Sequence, residues 1–178
     1  MKRVIVMFCM FLCLSVGVFA QDKAKEEGAV FPVPKALDNS FINWMVGEWE
    51  GWSESPMGKT TDYVAYKLGL DNQFLIITYE GKGAKSSYKG RGAITLTPEG
   101  GVTGFWIDNM RTMSTGKGKI EGTKLTMEWS TPGAGQGKRI TEKINHDKFV
   151  VSETWNMPDG KVMENRSEMT RVKQAAKK

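Results

Sequence analysis

Thiols are the first thing this chain is short of: its two cysteines, Cys9 and Cys13, both fall within the first 13 residues. Lys2 and Arg3 precede an apolar run over residues 4–18, and Val18-Phe19-Ala20 then gives way to polar Gln21-Asp22-Lys23. A charged start, an apolar stretch and small residues before a polar one form a secretory signal peptide, with cleavage expected after Ala20. An apolar run of about 15 residues is shorter than the roughly 20 that span a bilayer, so it does not read as an anchor. Cys13 follows Met10-Phe11-Leu12, which lacks the small residue that lipoprotein processing prefers. The expected destination is the periplasm or the exterior.

Cleavage after residue 20 leaves 158 of the 178 residues and no cysteine. Disulfides, thiolate metal sites and cysteine nucleophiles are thereby excluded from the mature chain. Histidine is almost as scarce. His146 stands alone between Asn145 and Asp147, in turn chemistry, so a Ser-His-Asp apparatus lacks its base. No metal and no cofactor is expected. Strong charge is lacking too: losing Lys2 and Arg3 lowers the net charge from +5 to +3, with 23 basic residues against 20 acidic. The basic residues are scattered apart from a tail over 173–178 carrying Lys173, Lys177 and Lys178, which argues against nucleic acid as a partner. No second long apolar run exists, so no membrane span remains after cleavage.

What is present is punctuation. Residues 21–37 are charged, then Gly- and Pro-marked, and read as a flexible leader before one domain over 38–172. Asp38 or Ser40 can cap a short helix bearing Phe41, Ile42, Trp44 and Met45. After Gly47 the helical period stops. Strands are expected near 47–54, 61–70, 74–80, 87–97, 102–108, 112–120, 124–130, 138–145, 149–157 and 161–172. Turn residues such as Asp71-Asn72, Glu121-Gly122 and Pro158-Asp159-Gly160 separate them. The fold class is all-β: about ten short-linked strands predict an up-and-down antiparallel barrel, preceded by the short helix, which hides its edges by closing. A two-sheet sandwich competes, with residues 131–137 as the longer connection it would need.

Alternation assigns inward faces. One holds Phe149, Val151, Glu153, Trp155 and Met157; another Leu125, Met127 and Trp129; a third Val64, Tyr66, Leu68 and Leu70. Such faces fill a core or line an apolar cavity. An inward Glu153 needs a partner, and Arg111, Arg166 and Arg171 are the candidates. Trp106 and Asp108 share a face near a strand end, where they and Arg111 would meet a ligand or simply shape a turn.

Gly47-Glu48-Trp49 opens the first strand and Arg171 closes the last. This resembles the lipocalin and calycin closure, which implies an Arg stacked across the Trp, a contact worth about 0.5–2 kcal/mol. A closer resemblance runs from Ala36 to Arg171, carried by Gly47-Glu48-Trp49-Glu50-Gly51, Gly69-Leu70-Asp71-Asn72-Gln73-Phe74-Leu75, Trp106-Ile107-Asp108-Asn109-Met110-Arg111-Thr112 and Glu168-Met169-Thr170-Arg171. In these the chain resembles the bacterial lipocalin-like family called domain of unknown function 1579. Gln73 stands where members often carry arginine. Haem-binding calycin relatives use a histidine ligand, and turn-bound His146 matches that poorly.

Three functional readings follow. The first is a carrier holding a small apolar or amphipathic molecule, lined by Tyr66, Tyr79, Trp106, Asp108, Arg111, Met127, Trp129, Glu153 and Trp155. The second is a filled barrel serving as an envelope interaction or structural module. The third is a lipocalin-type isomerase or hydrolase using Glu153 or Asp108 with Tyr79 or Arg111.

Overall fold

The computed structural model describes residues 34–173. The expected signal peptide, most of the expected leader and all of the basic tail beyond Lys173 lie outside them. One helix, α1 (Ser40–Met45), is followed by ten strands: β1 (Gly47–Ser55), β2 (Gly58–Gly69), β3 (Phe74–Lys82), β4 (Ser87–Leu96), β5 (Val102–Asp108), β6 (Met113–Glu121), β7 (Lys124–Thr131), β8 (Gly135–Asn145), β9 (Lys148–Asn156) and β10 (Val162–Arg171). Each strand pairs antiparallel with its sequence neighbour, and β1 pairs with β10. The sheet is a closed up-and-down barrel.

The sandwich fails at its proposed crossing. Residues 131–137 make no long connection, because Ala134 N donates to Thr131 O at 3.0 Å and β8 already begins at Gly135. Gly133 and Gly135, at φ 75° and 107°, supply the left-handed backbone this tight turn requires. Two other expectations shift. Leu70 is 71% exposed rather than inward, since it opens a left-handed turn with Asp71 and Asn72 that ends the alternation. Met157 lies past the end of β9, where its N–H closes the next turn onto Lys161 O at 2.8 Å.

The helix is capped by Asn39, not by Asp38 or Ser40. Its side-chain oxygen accepts from Phe41 N at 2.9 Å and Ile42 N at 3.1 Å. Six residues cannot hold a helix unaided. Here Phe41, Ile42, Trp44 and Met45 are all buried against the barrel's lower layer, which includes Trp49, Val64, Leu75, Leu125, Phe149 and Met169. Each such side chain contributes about 1.5–3 kcal/mol on burial.

At this end the ring closes. Strand register sets Trp49 opposite Arg171, whose guanidinium carbon lies 4.0 Å from the Trp49 ring centroid. Arg171 also donates to Val46 O at 2.9 Å and Trp44 O at 2.6 Å, satisfying carbonyls that α1 leaves free. Trp49 is completely buried and donates from Nε1 to Met45 O at 2.9 Å. Gly47 has φ 131°, and a Cβ there would stand 2.7 Å from Arg171 Nη1. Only glycine fits both the backbone and the arginine.

Candidate functional site in the open half of the barrel

Above this apolar floor the inward positions turn polar and aromatic. On β8 the alternation points Arg139 into the barrel, and register sets it directly across from Glu153 on β9. Arg139 Nη1 lies 3.5 Å from Glu153 Oε2, a loose single contact. Burial alone would lower the Arg139 pKa, but Glu153, then Tyr66, Tyr79 and Tyr88, outweigh it and raise the value. Yet 34% of the Arg139 side chain and 22% of that of Glu153 remain accessible. An arginine ringed by inward tyrosines and still this accessible has water-sized space beside it in the barrel interior.

Beside this pair stands a hydroxyl cluster. Asp62 on β2 is only 2% exposed. It accepts from Ser53 Oγ and from Thr60 Oγ1, the latter at 2.6 Å, and Ser53 Oγ meets Ser167 Oγ at 2.7 Å. The cluster spans β2, β1 and β10, so it pins the closing seam as well as satisfying a buried carboxylate. Tyr79 lies against it. Burial, and then the Asp62 charge, push the Tyr79 pKa well above its ordinary value.

A second chain of bonds climbs toward the mouth. Trp106 Nε1 donates to Tyr88 OH at 2.6 Å, and Tyr88 OH donates to Asp108 Oδ2 at 3.1 Å. Burial raises the Tyr88 pKa strongly. Asp108 also accepts from Met110 N at 2.9 Å, Thr112 N at 3.1 Å and the Thr112 hydroxyl. Burial pushes its pKa up, but these bonds prevail and hold it below the usual value. Asp108 is thus spent on the β5–β6 turn.

The walls are made by tryptophans lying on glycines. Trp106, Trp129 and Trp155 are the register partners of Gly92, Gly116 and Gly137. A Cβ at those glycines would come within 2.7, 2.6 and 2.2 Å of the respective indoles. Each ring therefore rests on the neighbouring strand's backbone instead of crossing the lumen. Trp155 Nε1 is held by Ala134 O at 2.9 Å.

The expected ligand-lining set is accordingly divided. Tyr79, Trp106, Trp129, Glu153 and Trp155 gather in the open half. Tyr66 and Met127, 5% and 3% exposed, belong to the floor. Asp108 is tied to its turn. Arg111 leaves the site: it is exposed, left-handed at φ 63°, and its N–H bonds Asp108 O at 3.2 Å. Neither Arg111, Arg166 nor Arg171 reaches Glu153; Arg139 does. Asp62, Tyr88 and Arg139 were missed, and alternation along β2 from Val64 and Tyr66 was the one available signal for Asp62. His146 is exposed, with Nδ1 2.7 Å from Asp147 Oδ1. Among the described residues no group of three or more His, Cys, Asp or Glu is arranged to hold a metal.

No family model matches the chain, and no curated protein does. Solved structures do. Rv2717c from M. tuberculosis superposes with a TM-score of 0.61 at 14% identity, over 76% of this chain and 99% of that one. The S-type phycobiliprotein lyase CPES from Guillardia theta gives 0.57 at 12% identity, over 76% and 92%. The barrel is lipocalin-like. At such identities the likeness is one of fold. Two shallow concavities of about 460 and 530 Å³ lie outside this lipocalin-like lumen, on the outer wall of β7–β9 and at the β7–β8 turn.

Proposed function

We propose that this protein is an exported carrier of the domain-of-unknown-function-1579 type, holding one small apolar or amphipathic molecule in the open half of its barrel. The observation that carries the reading is Arg139, inward and ringed by Tyr66, Tyr79, Tyr88 and Glu153, yet a third accessible. The lower half is packed, so a ligand has only the upper half to enter. There Trp106, Trp129 and Trp155 offer flat apolar walls, while Tyr79, Tyr88, Arg139 and Glu153 form a polar belt to orient a head group. Few, convergent polar groups in an aromatic-walled recess are the usual make-up of a small-molecule site. The signal-peptide pattern over residues 1–20 supports delivery to the periplasm or beyond.

Native mass spectrometry of protein isolated from its own host, starting at Gln21 if export is correct, tests the reading. It should show a one-to-one adduct, and the adduct or an apolar dye should quench tryptophan fluorescence. Ser114 is the buried register partner of Trp106 on β6 and shares its inward face, so filling the lumen with Ser114→Trp should abolish both. Repeated absence of any adduct, with no quenching by apolar dyes, overturns the carrier.

A further inference from the structure

The connections at the barrel's two ends differ in charge. Five connections surround the open end, at residues 56–57, 83–86, 109–112, 132–134 and 157–161. Their charged residues are Lys85, Arg111 and Lys161 against Asp159 alone, and Asp159 is itself held by Lys161 Nζ at 2.6 Å. Four connections surround the α1 end, at 70–73, 97–101, 122–123 and 146–147. These carry Asp71, Glu99 and Asp147 and no lysine or arginine.

Most of the exposed apolar side chains gather at the open end, although Leu70 (71%) and Ile144 (50%) lie at the α1 end. Met57 and Met110 sit in open-end connections at 83% and 72% exposure. Next to them, at strand ends, are Met113 (62%), Val162 (56%) and Ile107 (45%), and Ile107 pairs directly with Met113 in register. Exposed single apolar residues need no explanation; a set collected on one rim does. Methionine is a flexible side chain suited to irregular apolar surroundings. Apolar tips interleaved with basic residues are what an interfacial membrane contact uses, the former entering the headgroup boundary and the latter meeting anionic lipid.

We propose that the open rim docks onto a bilayer surface bearing anionic phospholipid, with Met57, Met110 and Met113 entering the interface and Lys85 and Arg111 on the headgroups. The α1 end then faces away from the bilayer. Docking would place the lumen's mouth against the source of an amphipathic molecule, and in that respect the inference rests on the carrier reading above.

Vesicle flotation of the mature chain decides it, with phosphatidylglycerol–phosphatidylethanolamine vesicles against phosphatidylcholine alone. The chain should float with the anionic vesicles, less at high salt, and hardly at all with the zwitterionic ones. Met57→Asp with Met110→Asp, and separately Lys85→Glu with Arg111→Glu, should each weaken binding roughly tenfold or more. Both double variants should keep the parent chain's far-ultraviolet dichroism and thermal midpoint, which shows that the barrel is still folded. Equal binding to both vesicle types, or none to either, overturns the docking. So does a dimer in analytical ultracentrifugation that the methionine variant splits, for the rim would then be a self-association surface. Vesicle binding without any lumen ligand would leave the docking standing and defeat the carrier alone.

Discussion

Tyr66 carries a phenol into the barrel floor, and its consequence is electrostatic. Burial pushes its pKa from 10.0 up to about 12, with Arg139 pulling the other way. Tyr79 and Tyr88 are raised in the same direction, again chiefly by burial. A raised phenol pKa means the folded chain keeps a proton that the unfolded chain has already lost. The stabilisation is therefore complete below pH 10 and is lost as pH climbs from 10 toward 12. Urea midpoints should fall steadily over that window, and Tyr66→Phe should make the fall shallower; a flat alkaline profile in the parent chain would contradict this. The inward placement of Tyr66 was legible from its spacing to Val64 and Leu68. That of Arg139 was not. Its strand begins Gly135-Gln136-Gly137-Lys138-Arg139, with no apolar alternation to say whether Lys138 or Arg139 turns inward. Register against Glu153 decides it, and register belongs to the assembled barrel rather than to the strand.

Among elements, the recurring unit is a large side chain seated on a cross-strand glycine. Met169 on Gly51 and Met127 on Gly118 repeat what the three tryptophans do in the open half. Glycine in a strand interior weakens it, and here the loss is offset by the ring or thioether that covers the gap. Gly137→Ala tests the arrangement. Its Cβ would stand 2.2 Å from the Trp155 ring, so the indole must leave the wall for the lumen. A loss of about 1–3 kcal/mol is expected from overpacking, together with weaker dye binding and an altered near-ultraviolet dichroism band. Unchanged dye affinity would mean that the wall does not shape the cavity. Element boundaries were largely readable because turn chemistry marks them, as Glu121-Gly122 and Pro158-Asp159-Gly160 do. Residues 131–137 misled for a physical reason: three glycines and a proline describe a long loop or a tight turn running into a strand equally well, and only pairing with β7 and β9 separates the two.

At the scale of the whole molecule, one pairing differs in kind from the other nine. Those nine join sequence neighbours, whereas β1 with β10 joins Trp49 to Arg171 across nearly the whole domain. That distance was bridged in the sequence by Gly-x-Trp and the terminal arginine, whose placement at opposite ends of a meander implied closure. Closure over such a span carries the largest loop entropy in the fold, and without it two full-length edges lie open to other chains. The seam depends on close approach: a Cβ on Gly51 would lie 1.9 Å from Glu168 O in the facing strand. Gly51→Ala should therefore part β1 from β10 while leaving the sequential pairings formed. Hydrogen exchange should accelerate in β1 and β10 and stay slow in β4 through β7, and the variant should run as larger species in size-exclusion chromatography. A uniform rise in exchange with no change in mass would show that the seam and the meander unfold as one unit, and that closure adds nothing separable to the barrel's stability.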